Sequence, residues 1–505
     1  MIQIKLKLPL IYKLLACIFF SFFFFKGRLG SDDLEVFNFI FNYFHSDNSL
    51  SSYIESIRTE SSQKIFYNSI QEHTYFTFYH RFVWVVQTYL ITSFIKIFSI
   101  FSFDVYFFSQ YFSGFILSFY TCVSFFLCQN FFNKKTTKIN SYFLTISIFF
   151  GSGLICFFTG AFIECLVILL LILRVTQNNK YKYFLDFLII FIKPFYFLLV
   201  CGLVFSENKI FNSKKFKTLS INFENLKIAL LYIFGLLSLF LFIRYILFDA
   251  PSYTNYLTNF FGRELNYHIY LNQLFDFIFS FGSGLFFSLP IIIILIIYGW
   301  QGYESLSKMF FSVLLIFFLS LFDQHHGQAV GGRFFLPTLF IFMKEFLSGF
   351  LFLKKKIYVL AFIAVITISN LPSIEYRNFN LFQYINQSQI KAKPAESNYD
   401  TWIFPLRDFR FNHIVFANNI ILKKIKSVDT IYIGNLKFNT EDVYPMTSIM
   451  RIFYLKNYKI DKYDNKLILI LKNYSSLLVI IYSFIVLFFL FFYLFFFYKI
   501  TIKNK

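Results

Sequence analysis

The chain has 505 residues, of which 57% are hydrophobic and 15% charged, with a formal net charge of +20. A soluble globular domain carries about 25% charged residues, so the composition excludes an ordinary soluble enzyme. The basic excess sits in short clusters between apolar runs, which is the pattern of cytoplasmic loops and excludes nucleic acid as a partner.

Apolar runs of roughly 20 residues recur along the chain, the length a helix needs to cross a bilayer. They predict an all-α polytopic membrane protein with about 11–13 transmembrane helices. The 83 Phe and 35 Tyr accompany abundant Ile, Asn and Lys, as AT-rich coding would produce, and carry no recognition signal. Six cysteines, none in a CxxC pair, lie in or beside apolar runs and argue against a disulfide framework or a zinc site.

The first span is expected over 8–25, opened by Lys5, Lys7 and Lys13 and left uncleaved, because FFFFKGRLG offers no small-residue cleavage site. Residues 26–80 then lie outside. Four basic residues there face seven acids, a net of −3 in a basic protein. Residues 82–101 are apolar but broken by Gln87, Thr88, Thr92 and Lys96, which predicts a helix in the outer interface. Span two, 104–131, lands on Lys134, Lys135 and Lys138, and a hairpin over 142–176 returns to Arg174, Lys180 and Lys182.

Residues 183–206 must begin and end inside, and Lys193-Pro194 predicts two short helices broken near the proline. Further spans follow at 228–247, 284–300, 308–322, 335–353, 357–370 and 476–498. Short basic clusters then fall on one side throughout. Residues 1–370 form the membrane module, and 476–505 a last helix with a basic tail. Between them, 371–475 reads as a small outer α/β domain, with IYIGNLKF and KLILIL as strands.

Three polar clusters need a reason. Asp32, Asp33 and Glu35 stand just beyond span one. As a solvated helix start they would suit a helix N-terminus. As a carboxylate site, Asp32 and Glu35 share a helical face and could hold a divalent metal, the one cofactor the sequence suggests. Asp33 would then be freer to act as a general base. The second cluster is Asp323, His325, His326 and Arg333, where adjacent histidines point apart and argue against a two-histidine metal site. Arg333, behind Gly331-Gly332, is either a snorkelling interface arginine or a fork for a phosphate. Glu72, His73, His80 and Arg81 form the third. Glu164 and Lys193 lie in apolar surroundings, either as partners or each at a helix end.

The order of these parts resembles the GT-C superfamily of integral membrane glycosyltransferases, over roughly residues 1–370. The similarity is greatest to bacterial members that use polyprenyl-phosphate sugars, such as protein mannosyltransferases and the aminoarabinose transferase of lipid A. Asp32 and Asp33 match the acids of that family's first outer loop. His80 matches its histidine before the lateral helix, with Arg81 where the family has proline. Gly327 to Pro337 resembles its late glycine-arginine-proline segment, and Lys193-Pro194 its middle-hairpin lysine.

The resemblance implies sugar transfer, with inversion, from a polyprenyl-phosphate donor to a cell-envelope glycan, lipid or protein acceptor. It implies an inner-membrane enzyme with its site on the outer face. Asp33 and Asp32 would be catalytic, Arg333 and Lys193 would bind the donor phosphate, and Glu35, His80 and His326 would contact substrate. A polysaccharide polymerase or O-antigen-type ligase stays open. So does a transporter or flippase, which needs charges at mid-membrane depth.

Overall fold

A computed structural model describes residues 8–24, 89–94, 105–159, 163–176, 181–212, 220–248, 295–300, 302–322, 335–353, 357–371, 430–433 and 436–439, with single positions at 274, 278 and 289. These residues are almost entirely helical. Helix α1 is Leu8–Phe24, α2 is Val105–Asn133 and α3 is Lys138–Phe150. After a 3-10 helix at Gly153–Thr159 come α4, Glu164–Thr176, and α5, Lys182–Ile192. A short 3-10 turn, Pro194–Tyr196, leads into α6, Phe197–Glu207. A two-residue antiparallel pair, Phe211–Asn212 with Ser220–Ile221, precedes α7, Phe223–Phe248. Helix α8 is Tyr303–Phe322. A 3-10 helix at Leu336–Phe342 runs into α9, Met343–Leu353, followed by α10, Ile357–Asn370.

Among the described residues three segments are long and apolar enough to cross a membrane: Phe112–Asn133, Phe223–Ile243 and Leu336–Leu353. They differ in placement. Leu336–Leu353 is mostly buried, whereas Phe223–Ile243 turns most of its apolar surface outward, with Ile228, Leu230, Leu231, Phe234, Leu241 and Phe242 exposed. A soluble protein would bury such a stripe. Its exposure suits a lipid surround.

The expected breaks are found, with adjustments. The 183–206 segment is two 11-residue helices that part at Lys193, whose backbone is extended because the next residue is proline. The expected hairpin over 142–176 starts earlier. Thr137 caps α3, its side chain accepting from the Asn140 backbone N–H, so the helix opens at Lys138. Its turn is not a simple loop but the 3-10 helix at Gly153–Thr159. The segment expected as one helix over 335–353 begins with seven residues of 3-10 helix, with Pro337 in its first turn. Of residues 371–475, expected as a small outer domain, the described part is one antiparallel hairpin, Thr430–Ile433 with Leu436–Asn439, on the stretch expected as strand. Of the interfacial helix expected at 82–101, residues 89–94 are described and helical.

The core gathers around the 3-10 segments. Phe150 stacks on Phe158 with ring centroids 4.9 Å apart, and Phe149 meets Phe340 at 5.5 Å. Helix hydroxyls in this apolar setting turn back on their own chain. Thr145, Ser147, Ser152, Ser312 and Thr367 each donate to the carbonyl four residues earlier. Where the backbone leaves helical form, side chains from elsewhere satisfy it. Asn370 Nδ2 donates to Phe150 and Ser152 carbonyls, and Ser118 and Thr121 donate to Phe158 and Phe157.

Candidate functional site

Among the described residues, buried charge marks three places. The first is the tip of the α5–α6 hairpin. Each arm has 11 residues, about 16 Å of helix. Lys193 sits at that tip and Glu164 opens α4. Lys193 Nζ donates to Glu164 Oε1, and both residues are buried. The ammonium also lies 5.6 Å from the Phe195 ring centroid, a favourable placement for a desolvated cation. Both residues stand where a helix begins or breaks. Of the two readings open from the sequence, partnership is the one found.

The second place is the other end of the same helices. Arg174 on α4 is fully buried. Its Nε donates to Asp186 Oδ1 at 2.7 Å, and its fork donates to both carboxylate oxygens of Glu207 at 2.9 and 3.1 Å. Lys182 donates to the same Glu207 at 2.9 Å, and the Tyr232 hydroxyl donates to Asp186 Oδ2 at 2.8 Å. Two cations meet two anions, and α4, α5, α6 and α7 each contribute. Arginine suits this post because its planar fork serves two carboxylates at once.

The third is between α8 and α9. Glu345 Oε1 accepts from Ser305 at 2.9 Å and Lys308 at 2.8 Å, and Lys308 reaches Oε2 at 3.1 Å. The backbone is crowded there. A Cβ on Gly299 would stand 1.8 Å from the Glu345 carbonyl oxygen, and one on Gly349 would stand 2.3 Å from the Leu295 carbonyl. Helical residues 295–298 and α9 thus meet backbone to backbone, which only glycine permits.

Among the residues singled out from the sequence, Lys193 and Glu164 fall in the described set. Asp32, Asp33, Glu35, His80, His326 and Arg333 lie outside it, as does the Asp32–Glu35 pair suggested for a metal. Among the described residues no group of three or more His, Cys, Asp or Glu could hold a metal ion. Cys17, Cys122, Cys128, Cys165 and Cys201 are buried and in no disulfide.

Sequence reasoning missed Asp186, Glu207, Lys308 and Glu345. A signal was present, since Asp186 interrupts FLDFLII and Glu345 interrupts FMKEFLSGF. A charge inside an apolar helix calls for a partner, but which partner depends on how the helices cross. No family model matches the chain, and no curated protein or solved structure matches it.

Proposed function

We propose that this chain is a polytopic inner-membrane glycosyltransferase of GT-C type. It would move a sugar, with inversion, from a polyprenyl-phosphate donor to a hydroxyl of a cell-envelope acceptor on the outer face. One observation carries the reading: the order of parts in the sequence, acids Asp32 and Asp33 just past the first span and GGRFFLP opening a late one. The hairpin broken at Lys193-Pro194 supports it as a further part in the expected position.

In this reading Asp33 takes the proton of the acceptor hydroxyl, whose oxygen attacks the anomeric carbon. The carbon–oxygen bond to phosphate breaks as the glycosidic bond forms, and polyprenyl phosphate leaves with the electron pair. Arg333 holds its charge. Lys193 is the weaker phosphate contact, because Glu164 already neutralises it. Glu35, His80 and His326 contact substrate. Asp32 with Glu35 is the pair assigned to a divalent cation.

A second reading has an observation of its own. Buried ion pairs in apolar helices, one of them at a helix break, are what a transporter needs. One experiment separates the two. The full chain is reconstituted in proteoliposomes with a radiolabelled polyprenyl-phosphate sugar and a membrane extract as acceptor source. Transfer of label with release of polyprenyl phosphate supports the enzyme. Movement of label between leaflets without transfer supports the transporter and overturns the enzyme.

A further inference from the structure

The basic end of α1, α2 and α3 has no counter-charge among the described residues. Lys13 stands near the start of α1 and donates through Nζ to Asn130 Oδ1 in the last turn of α2. Lys134 and Lys135 follow α2 in the tight turn closed by hydrogen bonds to the Phe132 carbonyl, and Lys138 opens α3. Lys134, Lys135 and Lys138 are exposed, and Lys13 is half-buried. Lys13 and Lys138 are near enough to repel each other.

The chain holds no Asp or Glu before Asp32 and none from Val105 to Phe150, so these three helices supply no carboxylate at all. The ion pairs of the described residues lie elsewhere and involve none of the four lysines. The lysines after α2 suit that helix's carbonyl end, but Lys138 at the start of α3 is the wrong sign for its own helix. Four cations thus share one corner that no carboxylate among the described residues neutralises. Beside them α1 turns Leu14, Leu15, Ile18 and Phe19 outward.

We infer that the Lys13–Lys138 corner is a binding site for an anionic phospholipid. The phosphate lies between the two ammonium groups, and an acyl chain lies along the exposed face of α1. Charge complementarity selects the ligand. A zwitterionic headgroup would bring its own cation into a cluster of four, whereas phosphatidylglycerol brings net negative charge. The proposal is independent of the glycosyltransferase reading.

The test uses the full chain, purified in gentle detergent from membranes of mixed phosphatidylglycerol and phosphatidylcholine, and counts retained lipid by native mass spectrometry. The parent should retain phosphatidylglycerol in preference to phosphatidylcholine. The variant Lys13→Gln/Lys138→Gln should bind it roughly 30-fold more weakly, each lysine contributing about fivefold. Lys13→Arg/Lys138→Arg should keep it, and so should Lys227→Gln, which removes a charge at another helix. Equal retention of both lipids by the parent overturns the site without recourse to any variant. Undiminished phosphatidylglycerol in Lys13→Gln/Lys138→Gln overturns it too. Displacement of the lipid by soluble glycerol phosphate would make it a free-phosphate site and overturn the lipid assignment.

Discussion

Helices α4 and α5 carry buried charge at both ends, and the two ends are built differently. At one end Arg174, Asp186, Glu207, Lys182 and Tyr232 form a balanced network drawn from four helices, with Glu207 reaching the surface. Ten residues along α4, about 15 Å of helix, the Glu164–Lys193 pair sits at two chain breaks with both residues buried. A network of that kind ties helices together. A pair placed at helix breaks adds little to helix packing that a leucine could not. A desolvated ion pair is often no more stabilising than an apolar replacement. The comparison teaches that the Arg174 end ties helices together, while the Lys193 end contributes little to that tie and is the one of the two able to serve a contact such as the phosphate contact proposed above.

The largest stability effect should come from the scaffold end. Arg174→Leu leaves Asp186 buried without its cation, and loss of one partner of a buried pair costs about 3–5 kcal/mol. Thermal unfolding in detergent should show a steep fall in midpoint, or the protein should fail to accumulate. A mild effect would mean that the network is not what joins α4 to α7.

The pair between α8 and α9 sharpens the contrast. Lys308→Met alone should cost about 3–5 kcal/mol by stranding Glu345, while Lys308→Met/Glu345→Met should recover most of it. Thermal midpoints of the two variants and the parent measure the difference. An unrecovered double variant would give this pair a function beyond packing.

Glu164→Leu/Lys193→Met is the matching change at the hairpin tip. Its melting midpoint should stay close to the parent's, while transfer or transport in proteoliposomes falls. Stability and activity falling together would place this pair in the scaffold as well and erase the distinction. Within the Arg174 network, Tyr232→Phe should cost less than Arg174→Leu, because it removes one hydrogen bond to the Asp186 carboxylate, worth about 1.5–3 kcal/mol, and leaves the charges paired. The same unfolding assay reads it.

How much of this was legible in the sequence depends on range. The break at Lys193 was legible because proline lacks an N–H and biases the residue before it away from helix. The helical character of α2, α7 and α8 was legible because apolar runs of that length have few alternatives. The 3-10 helix at Gly153–Thr159 was not, since its carbonyls are satisfied by Ser118 and Thr121 from a helix about forty residues upstream. The start of α3 at Lys138 was missed because the capping Thr137 hides inside a basic cluster. Arg174 read as an ordinary inner-edge charge, and nothing local marks Glu207 as its partner 33 residues on. Lys193 with Glu164 was within reach, two lone charges in apolar stretches, because a pair at depth has few other solutions.

The central claim, sugar transfer at an outer acid, is tested most directly by one rate. Radiolabelled sugar transfer from a polyprenyl-phosphate donor is measured in proteoliposomes with the parent, Asp33→Asn, Asp32→Asn and the double variant at matched protein. Removing a general base costs about 10² to 10⁴ in rate. The account predicts that loss for Asp33→Asn, and a smaller loss or an altered divalent-metal dependence for Asp32→Asn. Transfer at the parent rate by both single variants and the double would contradict it, leaving Asp32 and Asp33 as a solvated helix start.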